Sequence, residues 1–300
     1  MKIALYIEKH FWIFLLSGLL AGLIFPVFND FLMSVLKPFL MTMLFLVFLK
    51  TDIALIFTKM KNYKMMAFIV VMNMIIFPLF FYLTFNIFNP ALAIGMLLLT
   101  SMPAGVTTPA LADIVKGNTA LSASIVIVTS VVAPLTVPML FLAINNKVSV
   151  DPWLLFKDLA LIVFVPMVLS QILKRYMPGR IERKNHLFTA ANIIILSVMV
   201  YAIMGSQREI ILGDFRKIIW EIVWLFVVYI LLHIFGYLTA FKEDKEGKIA
   251  VTIGSAYINN GMAIVLAAVY FEPSVLILMV LSELPWNTLL IPFKKSLKYF

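Results

Sequence analysis

Long apolar runs separated by short polar segments make up almost the whole chain. Each run is long enough to cross the roughly 30 Å of hydrocarbon in a bilayer as a helix. The runs lie at residues 11–28, 31–49, 65–88, 91–116, 119–144, 153–174, 186–206, 218–241, 248–271 and 274–293. The pattern predicts an all-α membrane protein with ten transmembrane helices.

The fourth run is interrupted near its middle by the sequence PAGVTTP, in which Pro103 and Pro109 flank Gly105. Proline removes a backbone donor and clashes with the preceding turn, so a continuous helix is not expected there. Thr108 followed by proline is typical of a helix start, with a capping hydroxyl and then proline in the first turn. We expect one half-helix to end near Met102 and a second to run from about residue 109 to 115.

The ninth run has a second interruption, because residues 254–261 read GSAYINNG, a cluster of helix-weakening and capping residues. Ten spans divide into five and five at the polar segment 145–152, which predicts repeats at 1–144 and 153–300. Since five is odd, two similar halves must be inverted relative to each other. Paired interruptions in corresponding spans favour a transporter-type binding site at mid-membrane, whereas the alternative for the second cluster is tight helix packing.

Composition and charge agree with a membrane protein. The chain is 63% hydrophobic and 13% charged with a mean hydropathy of +1.04, whereas soluble domains are about half apolar and a quarter charged. The absence of cysteine excludes disulfides and thiolate metal sites. With ten spans, 18 of the 24 Lys and Arg residues fall on one side. This asymmetry predicts cytoplasmic termini in a bacterial-type inner membrane, and the net charge of +9 then needs no nucleic-acid partner.

The two interruptions provide the main candidate binding chemistry. Half-helices beginning near Thr108 and Asn260 present amide N–H groups and about half a positive charge each, which suits a carboxylate or sulfonate. The alternative is that the polar side chains there only cap the half-helices. The candidate substrate-binding residues are Thr107, Thr108, Pro109, Asn259, Asn260 and Gly261.

Glu283 is the clearest anomaly, because it lies near the middle of the tenth span, where a carboxylate is costly and is by default functional. One hypothesis makes it a proton carrier or a cation ligand. The other hypothesis is that Glu283 is a protonated carboxyl, which donates a hydrogen bond to a neighbouring main-chain carbonyl that Pro285 leaves without its helical partner. His233, alone in the eighth span, is more typical of a satisfied hydrogen-bonding residue than of a proton relay.

These motifs resemble the bile acid:sodium symporter family. The similar segments are PAGVTTPA, the stretch KGNTALS that follows it, a fifth span that ends APLTVP, and INNG at 258–261. The resemblance extends over the whole chain. It implies that helices 4 and 9 cross at their unwound centres in a core of spans 3, 4, 5, 8, 9 and 10. It also implies a panel of spans 1, 2, 6 and 7, with an organic anion in the crevice between panel and core.

The sodium ligands that the resemblance implies are only partly retained. Oxygen-bearing side chains remain at Asn73, Thr108, Ser122 and Asn259, to which the coupling hypothesis adds Glu283. The family pattern has a glutamate where this chain has Gly254, a glutamine at Ile258, a hydroxyl at Val126 and an asparagine at Pro109. Losing the acidic ligand is expected to weaken both sodium sites.

The sequence as a whole predicts a secondary active transporter of a small or amphipathic organic anion, such as a bile-acid-like, pantoate-like or sulfonate compound. Sodium coupling is expected to be weakened or replaced, with protons as one substitute, and no cofactor is expected beyond sodium. The alternatives are a channel or sensor on a transporter fold and, less favoured, a membrane enzyme. The expected partners are the substrate and the lipid bilayer, and no oligomeric state is indicated.

Overall fold

The protein is helical throughout the part that the structure describes. The computed structural model describes residues 2–27, 29–51, 63–144 and 151–298. Within these ranges there is no β-strand, only one isolated bridge between Ala104 and Ile258. The chain forms two compact units, the first made of Met1–Ile53 with Ala160–Ile218 and the second of Ala54–Leu159 with Ile219–Phe300.

The helices follow the predicted apolar runs, with short breaks between them. In chain order they are α1 (Lys2–Lys9), α2 (Phe11–Ile24), α3 (Asn29–Ser34), α4 (Leu36–Lys50), α5 (Tyr63–Val71), a π-helical segment (Met72–Ile76), α6 (Phe77–Asn86), α7 (Pro90–Thr100), α8 (Thr108–Ile114), α9 (Thr119–Ala143), α10 (Pro152–Tyr176), α11 (Pro178–Ser206), α12 (Arg208–Gly213), α13 (Phe215–Thr239), α14 (Lys245–Ala256), α15 (Asn260–Tyr270), α16 (Pro273–Leu281), α17 (Glu283–Thr288) and α18 (Leu290–Ser296).

Six helices of the described ranges are long and apolar enough to cross a bilayer. They are Tyr63–Asn86, Thr119–Ala143, Pro152–Tyr176, Leu187–Ser206, Arg216–Thr239 and Pro273–Ser296. The pair Ile3–Lys9 and Phe11–Ile24, bent by 75°, adds a seventh if it is counted as one span. The prediction of an all-helical membrane protein is therefore confirmed, while the count of ten spans and the inverted repeat stay predictions.

The first unit is held together by close helix packing and by bonds to main-chain carbonyls. A Cβ at Gly18 of α2 would lie 2.5 Å from the Ser197 carbonyl oxygen of α11, so the two helix backbones are in contact. Small residues commonly permit such an approach in membranes. Gln171 Nε2 donates to the Phe48 carbonyl at 3.0 Å, and Tyr201 Oη donates to the Phe25 carbonyl at 2.7 Å.

In the second unit, the turn between α8 and α9 explains the KGN motif. Lys116 has a φ of +61°, a left-handed conformation that ends the helix. Gly117 follows, and a Cβ there would lie 2.6 Å from Ile249 Cγ2. Asn118 then caps α9, because its side chain accepts a hydrogen bond from the Leu121 N–H at 2.9 Å. The motif thus joins the half-helix α8 to α9 and packs the turn on α14.

Candidate functional site

The two interruptions lie in direct contact in the second unit. The first is the segment between α7 and α8, and the second is the segment between α14 and α15. The Asn259 N–H donates to the Pro103 carbonyl at 2.8 Å, and the Gly105 N–H donates to the Tyr257 carbonyl at 2.6 Å. Buried main-chain groups must find partners, and here each interruption supplies partners for the other. We call this arrangement the crossing.

Side chains from two neighbouring helices satisfy further main-chain groups at the crossing. Thr129 Oγ1 on α9 accepts a hydrogen bond from the Ala104 N–H at 3.1 Å. Trp286 Nε1 on α17 donates to the Ile258 carbonyl at 3.1 Å. These residues are absent from the sequence prediction. Thr129 could have been found, because it follows Ser122 by seven residues and so lies on the same helix face.

The first break begins and ends close to the predicted positions, but the predicted cap is wrong. Helix α7 ends at Thr100 and α8 starts at Thr108. Thr107 is the N-cap residue and makes no side-chain capping bond. Thr108 Oγ1 instead donates to the Gly105 carbonyl at 2.8 Å, because the chain turns there and brings this carbonyl within reach. Pro109 lies in the first turn of α8 and is half-buried.

The second break does have the predicted cap. Asn259 Oδ1 accepts a hydrogen bond from the Met262 N–H at 3.1 Å, which leaves its Nδ2 buried without a partner. Asn260 and Gly261 form the buried first turn of α15. The Asn260 amide lies on the side of the Glu283 carboxylate. One amide donor, the Nδ2 of Asn259, is therefore left over at the positive end of an 11-residue helix.

Glu283 lies beside this end of α15. Its side chain is 6% exposed. Asn287 Nδ2 donates to its carboxylate at 3.0 Å and to its main-chain carbonyl at 2.7 Å. The Asn260 side chain faces the same carboxylate, and Tyr229 Oη donates to Asn260 Oδ1 at 2.9 Å. We call Tyr229, Asn260, Glu283 and Asn287 the Glu283 cluster.

The cluster connects the anomalous carboxylate to one of the predicted site residues. The observed hydrogen-bond donor to Glu283 is Asn287, and no bond to a carbonyl freed by Pro285 is found among the described contacts of the carboxylate. Asn287 follows Glu283 by four residues, a spacing that places both on one helix face and could have been read from the sequence. Tyr229 lies on α13, and no local pattern pointed to it. His233 bonds the Tyr229 carbonyl through Nδ1 at 2.7 Å.

The other predicted ion-binding residues are buried, and their described contacts do not join them in one site. Asn73 lies in the π-helical segment, and its Oδ1 accepts a bond from Ser255 Oγ at 2.8 Å. Such segments are frequent at functional sites. Ser122 Oγ is buried without a partner. Among the described residues, no group of three or more His, Asp or Glu side chains is placed to hold a metal ion.

Gly254 is packed against Ile125 of α9. A Cβ added at Gly254 would lie 2.9 Å from Ile125 Cγ2. The space that a larger residue at this position would need is therefore filled by an aliphatic side chain. Val126, the next residue of α9, is also buried. The α9 contact of Gly254 is thus apolar.

Comparisons with known proteins give one matching family model and several relatives. The model of the "Sodium Bile acid symporter family" matches residues 37–214. The "Uncharacterized sodium-dependent transporter YocS" of Bacillus subtilis (strain 168) is 27% identical over 201 residues, which are 64% of this chain and 60% of that protein. The "Uncharacterized protein YbaS" of the same strain is 25% identical over 203 residues, 65% of each chain.

A plant protein gives a similar match. The "Probable sodium/metabolite cotransporter BASS1, chloroplastic" of Oryza sativa subsp. japonica is 23% identical over 185 residues, which are 60% of this chain and 44% of that protein. The matched regions span less than two thirds of the length of each of these three relatives.

Proposed function

Since the chain belongs to the Sodium Bile acid symporter family, we propose that it is a secondary active transporter of a small or amphipathic organic anion. The observation that carries the proposal is the crossing, in which two interrupted helices pair their main chains. Irregular backbone at membrane depth is tolerated where it is buried or lines a cavity. Interrupted helices of this kind form the substrate and ion sites of many secondary transporters.

The proposed architecture has ten spans in two inverted repeats, 1–144 and 153–300, in a bacterial-type inner membrane with both termini cytoplasmic. Of the linker 145–152, residues 145–150 lie outside the described ranges. We assign the first compact unit to the panel and the second to the core. The unit boundaries support this assignment, because they group spans 1, 2 and 7 together and spans 3, 4, 5, 9 and 10 together, with nearly all of span 8 in the second unit. Span 6 is divided at residue 160, and its larger part lies in the first unit.

We place the anion at the amide ends of the crossing. The N-terminus of α15 carries about half a positive charge, and the unpaired Nδ2 of Asn259 adds a hydrogen-bond donor. The Asn260 amide lies between this helix end and the Glu283 carboxylate. A carboxylate or sulfonate takes such donors without a charged partner. Gly261 lies in the buried first turn of this helix. Across the crossing, Thr107, Thr108 and Pro109 form the other wall of the proposed site.

We propose that sodium coupling is weakened or replaced in this chain. Asn73, Thr108, Ser122 and Asn259 retain oxygen atoms, but Gly254 supplies no carboxylate and faces Ile125. Glu283 is the buried carboxylate nearest to the proposed anion site, since it shares Asn260 with it. We therefore assign charge compensation to Glu283, with either sodium or a proton as the positive partner.

Uptake into liposomes tests the proposal. The purified full-length protein is first screened by thermal shift against bile salts, keto acids, pantoate-like acids and sulfonates, because a ligand of the native state raises the apparent stability. Hits are then assayed for uptake under a sodium gradient and, separately, under a proton gradient. We expect accumulation against the substrate gradient with at least one of them. Equilibration without accumulation would support the channel alternative, and chemical turnover of a hit would support an enzyme.

Restoring an acidic residue at position 254 is expected to require a second change. Gly254→Glu alone overpacks the contact with Ile125, at a cost of about 1–3 kcal/mol, and buries an uncompensated charge. Gly254→Glu combined with Ile125→Ala removes the obstructing side chain and is expected to give a sodium-dependent rise in melting temperature. The measurement is thermal unfolding in sodium chloride against choline chloride.

Ile125→Ala alone is the control for the cavity that the double variant contains. We expect it to be destabilised without any response to sodium. If Gly254→Glu alone kept wild-type stability and responded to sodium, the packing argument at Gly254 would be wrong. If the double variant were stable but indifferent to sodium, the retained oxygens would not form a sodium site even with the carboxylate present.

A further inference from the structure

A groove of about 310 Å³ lies between α13 and α18 in the second unit, and none of its lining residues belongs to the crossing. Its walls are mostly apolar. The lining residues are Ile230, His233, Ile234, Tyr237, Leu289, Pro292, Phe293 and Ser296. On each helix they recur at intervals of three and four residues, so each helix contributes one face. From Ile230 to Tyr237 the groove follows α13 for about 10 Å.

The base of the groove is fixed by hydrogen bonding and ring packing. His233 Nδ1 lies 2.7 Å from the Tyr229 carbonyl, which holds the imidazole against its own helix. The ring centroids of His233 and Phe293 are 5.0 Å apart. The His233 ring also packs edge to face against the Tyr257 ring, with 5.4 Å between the ring centroids. The groove is therefore a preformed feature of the packed helices.

Lysines flank the end of the groove where Tyr237 and Ser296 lie, although none of them lines it. Lys248 Nζ lies 5.4 Å above the Tyr237 ring. Lys294 and Lys295, both exposed, directly precede Ser296. Three acidic residues, Glu243, Asp244 and Glu246, precede or begin α14 near this end. Asp244 caps α14, because its side chain accepts a hydrogen bond from the Gly247 N–H.

We infer that this groove binds the acyl chain of an anionic phospholipid whose phosphate lies among Lys248, Lys294 and Lys295. The apolar middle fits a hydrocarbon chain, and the lysines at one end complement a negative headgroup. Both helices are assigned to the membrane, and the lysine-rich end falls on the side that carries most of the positive charge, where anionic lipids are recognised electrostatically. The inference does not depend on which solute is transported.

Lipid titration of the full-length protein in detergent tests the inference. Phosphatidylglycerol and phosphatidylcholine with identical acyl chains are compared by native mass spectrometry and by thermal unfolding. Wild-type protein is expected to bind phosphatidylglycerol at least tenfold more tightly and to gain several degrees of melting temperature from it. Equal binding of the two lipids would overturn the role of the lysines.

Two pairs of variants separate the groove from its charged end. Ile234→Trp fills the groove and is expected to weaken binding of both lipids, whereas Leu238→Trp on the same helix, outside the lining, leaves it unchanged. Lys248→Gln with Lys295→Gln is expected to remove the preference for phosphatidylglycerol, with Lys9→Gln as the control. If Ile234→Trp does not fold, Ile230→Trp replaces it. A filled groove that still binds phosphatidylglycerol as wild type does would overturn the inference.

Discussion

Gly105→Ala is expected to separate the two interrupted helices and to abolish binding of any organic anion. A Cβ at this position would lie 2.8 Å from the Tyr257 carbonyl oxygen and 2.9 Å from that of Ile258. Both atoms belong to the main chain, so neither can rotate away as a side chain does. The segments must move apart, which lengthens the 2.6 Å bond from the Gly105 N–H to Tyr257. Overpacking of this kind costs about 1–3 kcal/mol.

Gly179→Ala is the matched control for that experiment, because a Cβ there would meet nothing within 4 Å. Both proteins are compared by thermal unfolding and by the ligand-induced thermal shift of the best anion from the screen. We expect the control to match wild type in its ligand response and to melt at the same or a slightly higher temperature, because alanine favours helix over glycine. Should Gly105→Ala retain the melting temperature and the ligand response of wild type, the crossing would be neither tightly packed nor part of the site.

The position of the first break was predictable because proline acts through covalent geometry. Pro103 and Pro109 flank Gly105 and together disfavour one continuous helix, although single prolines lie inside α9 and α10. The observed ends at Thr100 and Thr108 lie within two residues of the prediction. The second break contains no proline, and its prediction rested on capping residues. Asn259 is the N-cap there. Local chemistry therefore located both interruptions.

The bonds that join the interruptions were not predictable from local sequence. The partners of Gly105 and Pro103 lie more than 150 residues away, at Tyr257 and Asn259. The prediction that the Thr108 hydroxyl caps α8 is wrong, because the turn at Gly105 brings the Gly105 carbonyl within reach of this hydroxyl. The bonds between the interruptions join main-chain groups, so their partners depend on how the chain folds and not on the residue types involved. For that reason the spacing of residues predicted where the candidate site begins but not which neighbours complete it.

Glu283→Gln is expected to make anion binding independent of sodium and of pH and to abolish accumulation driven by either gradient. The proposed anion site and the Glu283 carboxylate share Asn260. An anionic group bound through the same amide would lie close to the carboxylate. If two unit charges were about 5 Å apart at an effective dielectric constant near 20, they would repel each other by about 3 kcal/mol, or roughly 100-fold in affinity. An anion can therefore bind tightly only when a cation or proton neutralises Glu283, and this requirement couples the two fluxes.

Glutamine keeps the shape of the side chain and an oxygen that accepts the bond from Asn287, so the fold of the cluster is expected to survive. Glu272→Gln is the matched control, since that carboxylate is exposed before the start of α16. The readouts are substrate affinity at high and low sodium and at two pH values, gradient-driven uptake, and exchange of internal for external substrate. We expect Glu283→Gln to retain exchange and lose driven uptake. Driven uptake at the wild-type level in Glu283→Gln would exclude Glu283 from coupling, because no charge would remain there to be neutralised.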